Sequence, residues 1–192
     1  MAEDDEPFLP PQIQQHARAI GYLCIFWAAL EHEIDTFLDA LIPLEAGQVS
    51  DSVVANIDFR EKLRILLALG FIRKPNAGWF RRLERTVNHV DNGLRPERNR
   101  FVHDQWRGLD PIVRRTKRTA LVRPQARQIE LRAFEDRAIK PAEIWRLVNS
   151  VASAQVALKI LEIGYRDELR KAQPKSVVQP PEGQSPQEHH PG

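Results

Sequence analysis

The sequence predicts an all-α fold: an up-down helical bundle with two long helices and a basic loop or β-hairpin insertion. Three observations carry this. Apolar stripes at helical spacing run through residues 12–41 and 141–171. Helix start and stop residues punctuate the chain between them. One stretch before the last helix loses that spacing and is rich in Arg, Thr and Val.

Pro10 and Pro11 end a short acidic leader, residues 1–11. In the first long helix Ile13, Ile20, Leu23, Trp27, Leu30, Ile34, Phe37 and Leu41 recur at three-, four- and seven-residue steps, one amphipathic face. Pro43 breaks it, and a short helix over 44–56 follows, with Val49, Val53 and Val54 inward. Asp58 reads as an N-cap with Glu61 three residues on, a capping-box pattern, and Gly70 reads as the end of that helix. Pro75 to Gly78 form a loop. Trp79, Phe80, Leu83, Val87 and Val90 then line a further helix, interrupted at Asn92-Gly93. Pro96 fits the first turn of the next, where its missing N–H costs nothing. The insertion spans about 110–135, with Pro124 in its middle. Pro141 starts the last helix, with Ile144, Leu147, Val148, Val151, Leu158, Leu161 and Tyr165 inward. Residues 12–172 therefore form a single helical domain, and the Pro-, Gln- and Glu-rich tail 173–192 is expected to be disordered.

Hydrophobic residues make up 42% and charged residues 28% of the 192 positions, an ordinary soluble composition. Net charge is +2, but it is uneven. Arg95 to Arg132 holds eleven Arg and Lys against four Asp and Glu, an excess of +7 that suits a polyanionic partner. The lone Cys24 excludes an internal disulfide, fits a reducing, cytoplasmic setting, and lies in an apolar run that predicts core packing. The acidic N-terminus is unlike a signal peptide. No apolar stretch reads as the roughly 20 residues that span a bilayer.

Chemistry concentrates in Arg98-Asn99-Arg100-Phe101-Val102-His103. In a helix restarting at Pro96, Arg98 and Asn99 occupy the first turn, whose free N–H groups favour a phosphate. Asn99 and His103 are four apart and share a face. Arg98 and His103 are five apart, about 140° around the helix. An imidazole moves protons near neutral pH, and a guanidinium holds phosphate oxygens as charge builds. Together they suit cleavage of RNA by its own 2′-hydroxyl, with no metal and no cofactor.

This motif resembles the signature of the HEPN superfamily: an Arg, usually a polar residue after it, then four to six positions to a His. Arg98, Asn99 and His103 match, and Asp104-Gln105-Trp106 looks like the motif's exit. The upstream helices, with Trp27 to Glu31 in the first, resemble the family's bundle. The likeness covers roughly residues 12–170, but only the six-residue motif is specific. It implies an all-α HEPN-like bundle with Arg98, Asn99 and His103 as catalytic residues. It further implies a homodimer whose two motifs meet in one cleft. Family members act as toxins or in phage defence, which implies an antitoxin or defence-system partner protein. Others have lost activity, so a non-catalytic RNA-binding or protein-interaction module is the alternative.

Beyond the motif, Arg100, Trp106, Arg114, Arg115, Lys117 and Arg118 are candidate RNA contacts: the bases for the phosphate backbone, Trp106 for stacking. Arg98 has Glu97, Asp91 and Asp104 as candidate ion-pair partners. Glu31 is a candidate orienting acid for Arg98 or His103. Glu31-His32-Glu33 resembles a metal cluster, but adjacent helical residues diverge, and no metal site is expected.

Overall fold

The computed structural model describes residues 10–42, 56–107, 114–123 and 128–172, apart from the side chains of residues 12, 105, 107 and 116–136. It is mostly helical. Two long helices, α1 (Pro11–Leu41) and α5 (Pro141–Ala172), flank α2 (Phe59–Arg73), α3 (Ala77–Asn88), a π-helical turn (His89–Leu94) and α4 (Arg95–His103). The stretch 43–55, with the expected short helix, lies outside the described residues, as do residues 1–9 and 173–192.

Helix directions follow from side-chain pairs. His16 meets Ile139, Tyr22 meets Trp145 and Glu33 meets Lys159, so α1 and α5 run in the same sense. Trp79 packs on Phe37 and Trp106 on His16, so the chain through α3 and α4 runs the other way. Phe59 lies on Trp27 and Lys62 on Asp35, giving α2 the sense of α1. The described helices thus do not simply alternate. The stripes read from the sequence fill the core: Leu23, Leu30, Ile34 and Phe37 of α1 face Ile144, Val151 and Leu158 of α5. By length and composition α5 can cross a membrane, its most apolar 18-residue window having a mean hydropathy of 1.2, contrary to the sequence reading. Its buried residues, Ile144 to Tyr165, belong to the core shared with α1.

The insertion is a hairpin with an unexpected third strand. Strand β2 (Arg114–Arg123) pairs antiparallel with β3 (Gln128–Ala138), with a register irregularity at Arg118/Thr119. Strand β1 (Gln105–Arg107) pairs with the other edge of β2, Trp106 opposite Arg115. The sheet therefore starts at the motif's exit, and β3 runs to Ala138, beyond the expected 110–135.

Local expectations fared unevenly. The Asp58 side chain accepts from the amides of Arg60 and Glu61 at 2.9 and 3.1 Å, as an N-cap should. Glu61 turns to Arg64 instead of closing a reciprocal box. Asn76, read as loop, caps α3 through the amide of Trp79 at 2.8 Å. Cys24 is exposed, not in the core, because the inward stripe passes through Leu23 and Trp27. Gly70 does not end its helix. It lies inside α2, buried, and a Cβ there would come 2.4 Å from Leu83 Cδ2. Its role is close approach of α2 to α3.

That contact makes a prediction with a sign reversal. Gly70→Ala should destabilise the protein by about 1 kcal/mol, overpacking against Leu83 outweighing the gain in helix propensity. In a Leu83→Ala background the same change should stabilise by roughly 1 kcal/mol, because only the propensity gain remains. Urea unfolding of the four proteins checks this; a Gly70→Ala effect of the same sign in both backgrounds is incompatible with the contact.

Candidate functional site

The helix carrying the motif does not restart at Pro96. It continues from α3 through the π turn, and the Arg95 amide donates to Val90 O, five residues back. No side chain caps α4. The free first turn expected to attract phosphate is therefore absent, and the polar side chains must supply any anion binding.

Arg98 points across to α1. Its guanidinium carbon lies 5.4 Å from the centre of the Trp27 ring, a cation–π contact worth about 0.5–2 kcal/mol. Trp27 is fixed in turn by its indole N–H, which donates to Glu31 Oε1 at 2.8 Å. Glu31 thus orients Trp27 and pairs with neither Arg98 nor His103. Arg98 Nη1 donates to Asn99 Oδ1 at 3.1 Å, while Arg98 Nε is buried without a hydrogen-bond acceptor. Two of the three expected carboxylate partners are taken, and the third, Glu97, does not pair with Arg98 but lines a cavity on α4. Asp91 binds Arg95 at 2.8 Å and Arg60 at 3.6 Å, and Asp104 lies 3.3 Å from Arg115 Nε. Among the described residues no carboxylate pairs with Arg98. His103 is exposed in the last turn of α4, four residues beyond Asn99. Arg98 and Asn99 are in contact; no hydrogen bond joins either to His103 among the described residues.

The motif's exit is stapled to the sheet. Arg115 is 4% exposed: its guanidinium lies over the Phe101 ring at 5.4 Å and reaches Asp104. Trp106 Nε1 donates to Phe101 O at 2.9 Å, and its ring stacks on Phe101 and leans on His16. Both were candidate RNA contacts. Arg115 faces inward because it stands opposite Trp106 on the covered face of the sheet, and Trp106 is occupied at its polar edge and its ring. Arg114 and Arg100 are exposed. Lys117 and Arg118 lie on β2, with side chains outside the described residues.

Two cavities adjoin the rod from α3 to α4, and neither is walled by Arg98, Asn99 or His103. One, of about 810 Å³, is an apolar groove between α3 and α5 with Arg82, Arg85 and His89 on its rim. The other, of about 390 Å³, lies between α4 and the start of α5 and includes Arg100, which sequence reasoning had grouped with the motif. Glu31, His32 and Glu33 diverge as expected of neighbours on a helix: Glu31 holds Trp27, His32 is exposed, and Glu33 is buried against Lys159 at 3.4 Å.

The staple is testable. Arg115→Ala leaves Asp104 beside an apolar ring and should cost about 3 kcal/mol. Asp104→Ala should cost a similar amount, and the double variant clearly less than the sum. Strict additivity in thermal unfolding would show that the two side chains do not act as a pair.

A scan against protein-family models finds no match for this chain, and searches of the curated proteins and of the solved structures return none either.

Proposed function

We propose that this chain is a metal-independent endoribonuclease of the HEPN type, with Arg98, Asn99 and His103 as its catalytic residues. The observation that carries this reading is the state of Arg98. A half-buried guanidinium is expected to have a carboxylate, and here Asp91 and Asp104 are bound by other arginines, while neighbouring Glu97 forms no ion pair with it. Arg98 instead rests on Trp27 and Asn99 and keeps a buried Nε without an acceptor. A buried polar atom without a partner calls for an explanation, and a phosphate oxygen is the acceptor this donor suits. Asn99 supports the same reading, since it fixes Nη1 and shares a helix face with exposed His103.

In this mechanism the imidazole of His103 takes the proton from the 2′-hydroxyl. The 2′-oxygen attacks phosphorus, and the bond to the 5′-oxygen breaks. Arg98 neutralises the phosphorane-like charge through donors already aimed by Trp27 and Asn99. The leaving 5′-oxygen needs a proton from a second group. One chain places a single His in the motif, so the reading includes a homodimer in which a second copy supplies the acid. RNA is the substrate, the cytoplasm its setting, and a toxin or phage-defence role with a protein antitoxin accords with such an activity.

A second reading has its own observation. Arg98 and Asn99 are half-buried and bonded to each other, and neither lines either of the two cavities beside the rod from α3 to α4. That favours a non-catalytic helical module that binds RNA or protein without cutting.

Two experiments separate them. Purified protein with total RNA and EDTA should yield fragments with 2′,3′-cyclic phosphate and 5′-hydroxyl ends, and His103→Ala should lower the rate by at least about a hundredfold. RNA with 2′-deoxy sugars should resist. Binding without cleavage would favour the second reading, and EDTA-sensitive cleavage to 5′-phosphate ends would exclude the mechanism. In mixtures of wild type with His103→Ala, heterodimers should fall far below half of wild-type activity; half activity, or full activity from a monomer in sedimentation, would refute a shared site.

A further inference from the structure

We infer that the 390 Å³ cavity behind α4 is a phosphate-binding site, distinct from the motif face. Its wall brings together Arg100 of α4, Arg115 of β2, Arg137 of β3 and Arg146 of α5, four guanidinium groups from four elements. The sequence spreads these over 47 residues, and only the fold assembles them. Glu97 and Glu143 share the wall. Glu143 is taken by Arg137 at 2.6 Å, and Asp104 behind the wall is taken by Arg115. Arg100 and Arg146 have no carboxylate partner among the described residues, and both face one small space. Like charges gathered this way repel unless an anion joins them.

The site is also built, not merely basic. Arg115 is 4% exposed and fixed between Phe101 and Asp104, so one wall is rigid before any ligand arrives. The positive end of a 32-residue helix contributes Glu143 and Arg146 to the same wall. Forked guanidinium donors from several directions suit a tetrahedral dianion better than a planar carboxylate. The cavity has ample room for a phosphate and shares His89 and Ser150 with the apolar groove between α3 and α5. The phosphate is therefore free to be one end of a larger molecule, whose body lies along Thr86, Ser153 and Ala157.

This site needs no part of the proposed nuclease chemistry. Glu97 and Phe101 stand about 160° around the helix from Asn99, so the cavity opens on the side of α4 away from Asn99. A phosphate bound here would bear on the motif only through the position of that helix.

The test is calorimetric titration of the full chain at low salt with inorganic pyrophosphate, then AMP, then a 2′-deoxy oligonucleotide with a 5′-phosphate or a 5′-hydroxyl. Pyrophosphate should bind at one site per chain, and Arg100→Ser with Arg146→Ser should weaken it at least roughly tenfold. Exposed Arg146 also permits the single reversal Arg146→Glu, which should remove binding while the melting temperature stays within a few degrees of wild type. Arg170→Ser with Lys171→Ser, at the far end of α5, should leave binding unchanged. AMP binding more tightly than pyrophosphate assigns the site to free nucleotides; preference for the 5′-phosphorylated oligonucleotide assigns it to an RNA end. Unchanged pyrophosphate binding in a folded Arg146→Glu protein, equal loss in the Arg170/Lys171 control, or no binding by any phosphate overturns the inference.

Discussion

Pro96 sets the phase of the motif. A proline inside a helix has no amide to donate, and its ring collides with the carbonyl four residues earlier, here that of Asn92. The chain accommodates this without breaking. It widens for one turn, His89–Leu94, and the Arg95 amide reaches Val90 O across five residues. The inserted residue rotates everything after it by about 100° relative to an uninterrupted α-helix. That rotation puts Arg98 over Trp27, sends Phe101 into the core and leaves His103 outside. Gly93 belongs to the same device, since a Cβ there would press within 3.2 Å of His89 Nδ1.

The second constraint is the set of acids buried between the long helices. Glu162 is 2% exposed and sits between Lys159 and Arg166, while Glu33 of α1 reaches the same Lys159. The hydrogen bond to Glu162 raises the Lys159 pKa most, the Glu33 charge adds to it, and desolvation opposes both. Such a group stabilises the fold at every pH below its unfolded pKa, and that contribution fades only as alkaline pH passes the raised value. Across α1 and α2, Lys62 pairs with Asp35 at 2.7 Å. Replacing such pairs with apolar residues need not weaken a core, so their value here is registry: Lys159 meets Glu33 at one setting of two long, otherwise slippery helices.

The apolar periodicity made both long helices, their faces and the Asp58 cap legible in the sequence, because those features depend on near neighbours. Several of the features that escaped depend on distant residues, while Cys24 and the Asp91–Arg95 pair turn on local phase. Gly70 looked like a helix end, since its local signal is the same whether it terminates a helix or admits another. Cys24 sits one position from the inward stripe, so composition suggested burial where phase gives exposure. Strand β1 is three residues long and has no meaning without β2 beside it. Within the candidate site, neither the Arg98–Asn99 contact nor the capture of Asp91 and Asp104 by Arg95 and Arg115 was read from the sequence. One of those partners lies four residues away on the helix; the other lies across a sheet.

The Asp104–Arg115 pair joins the two faces of α4, and this gives the short helix more than one task. Asp104 closes the last turn, its amide on Arg100 O at 3.2 Å, one residue after His103. Its carboxylate holds Arg115, which forms the fixed wall of the arginine-lined cavity on the opposite side. Asp104 thereby ties the turn that carries His103 to β2, while Arg98, further in, is held from the other side by Trp27. That tie is a single ion pair between the end of α4 and β2, so the placement of the turn carrying His103 and of the cavity wall depends on the same two side chains.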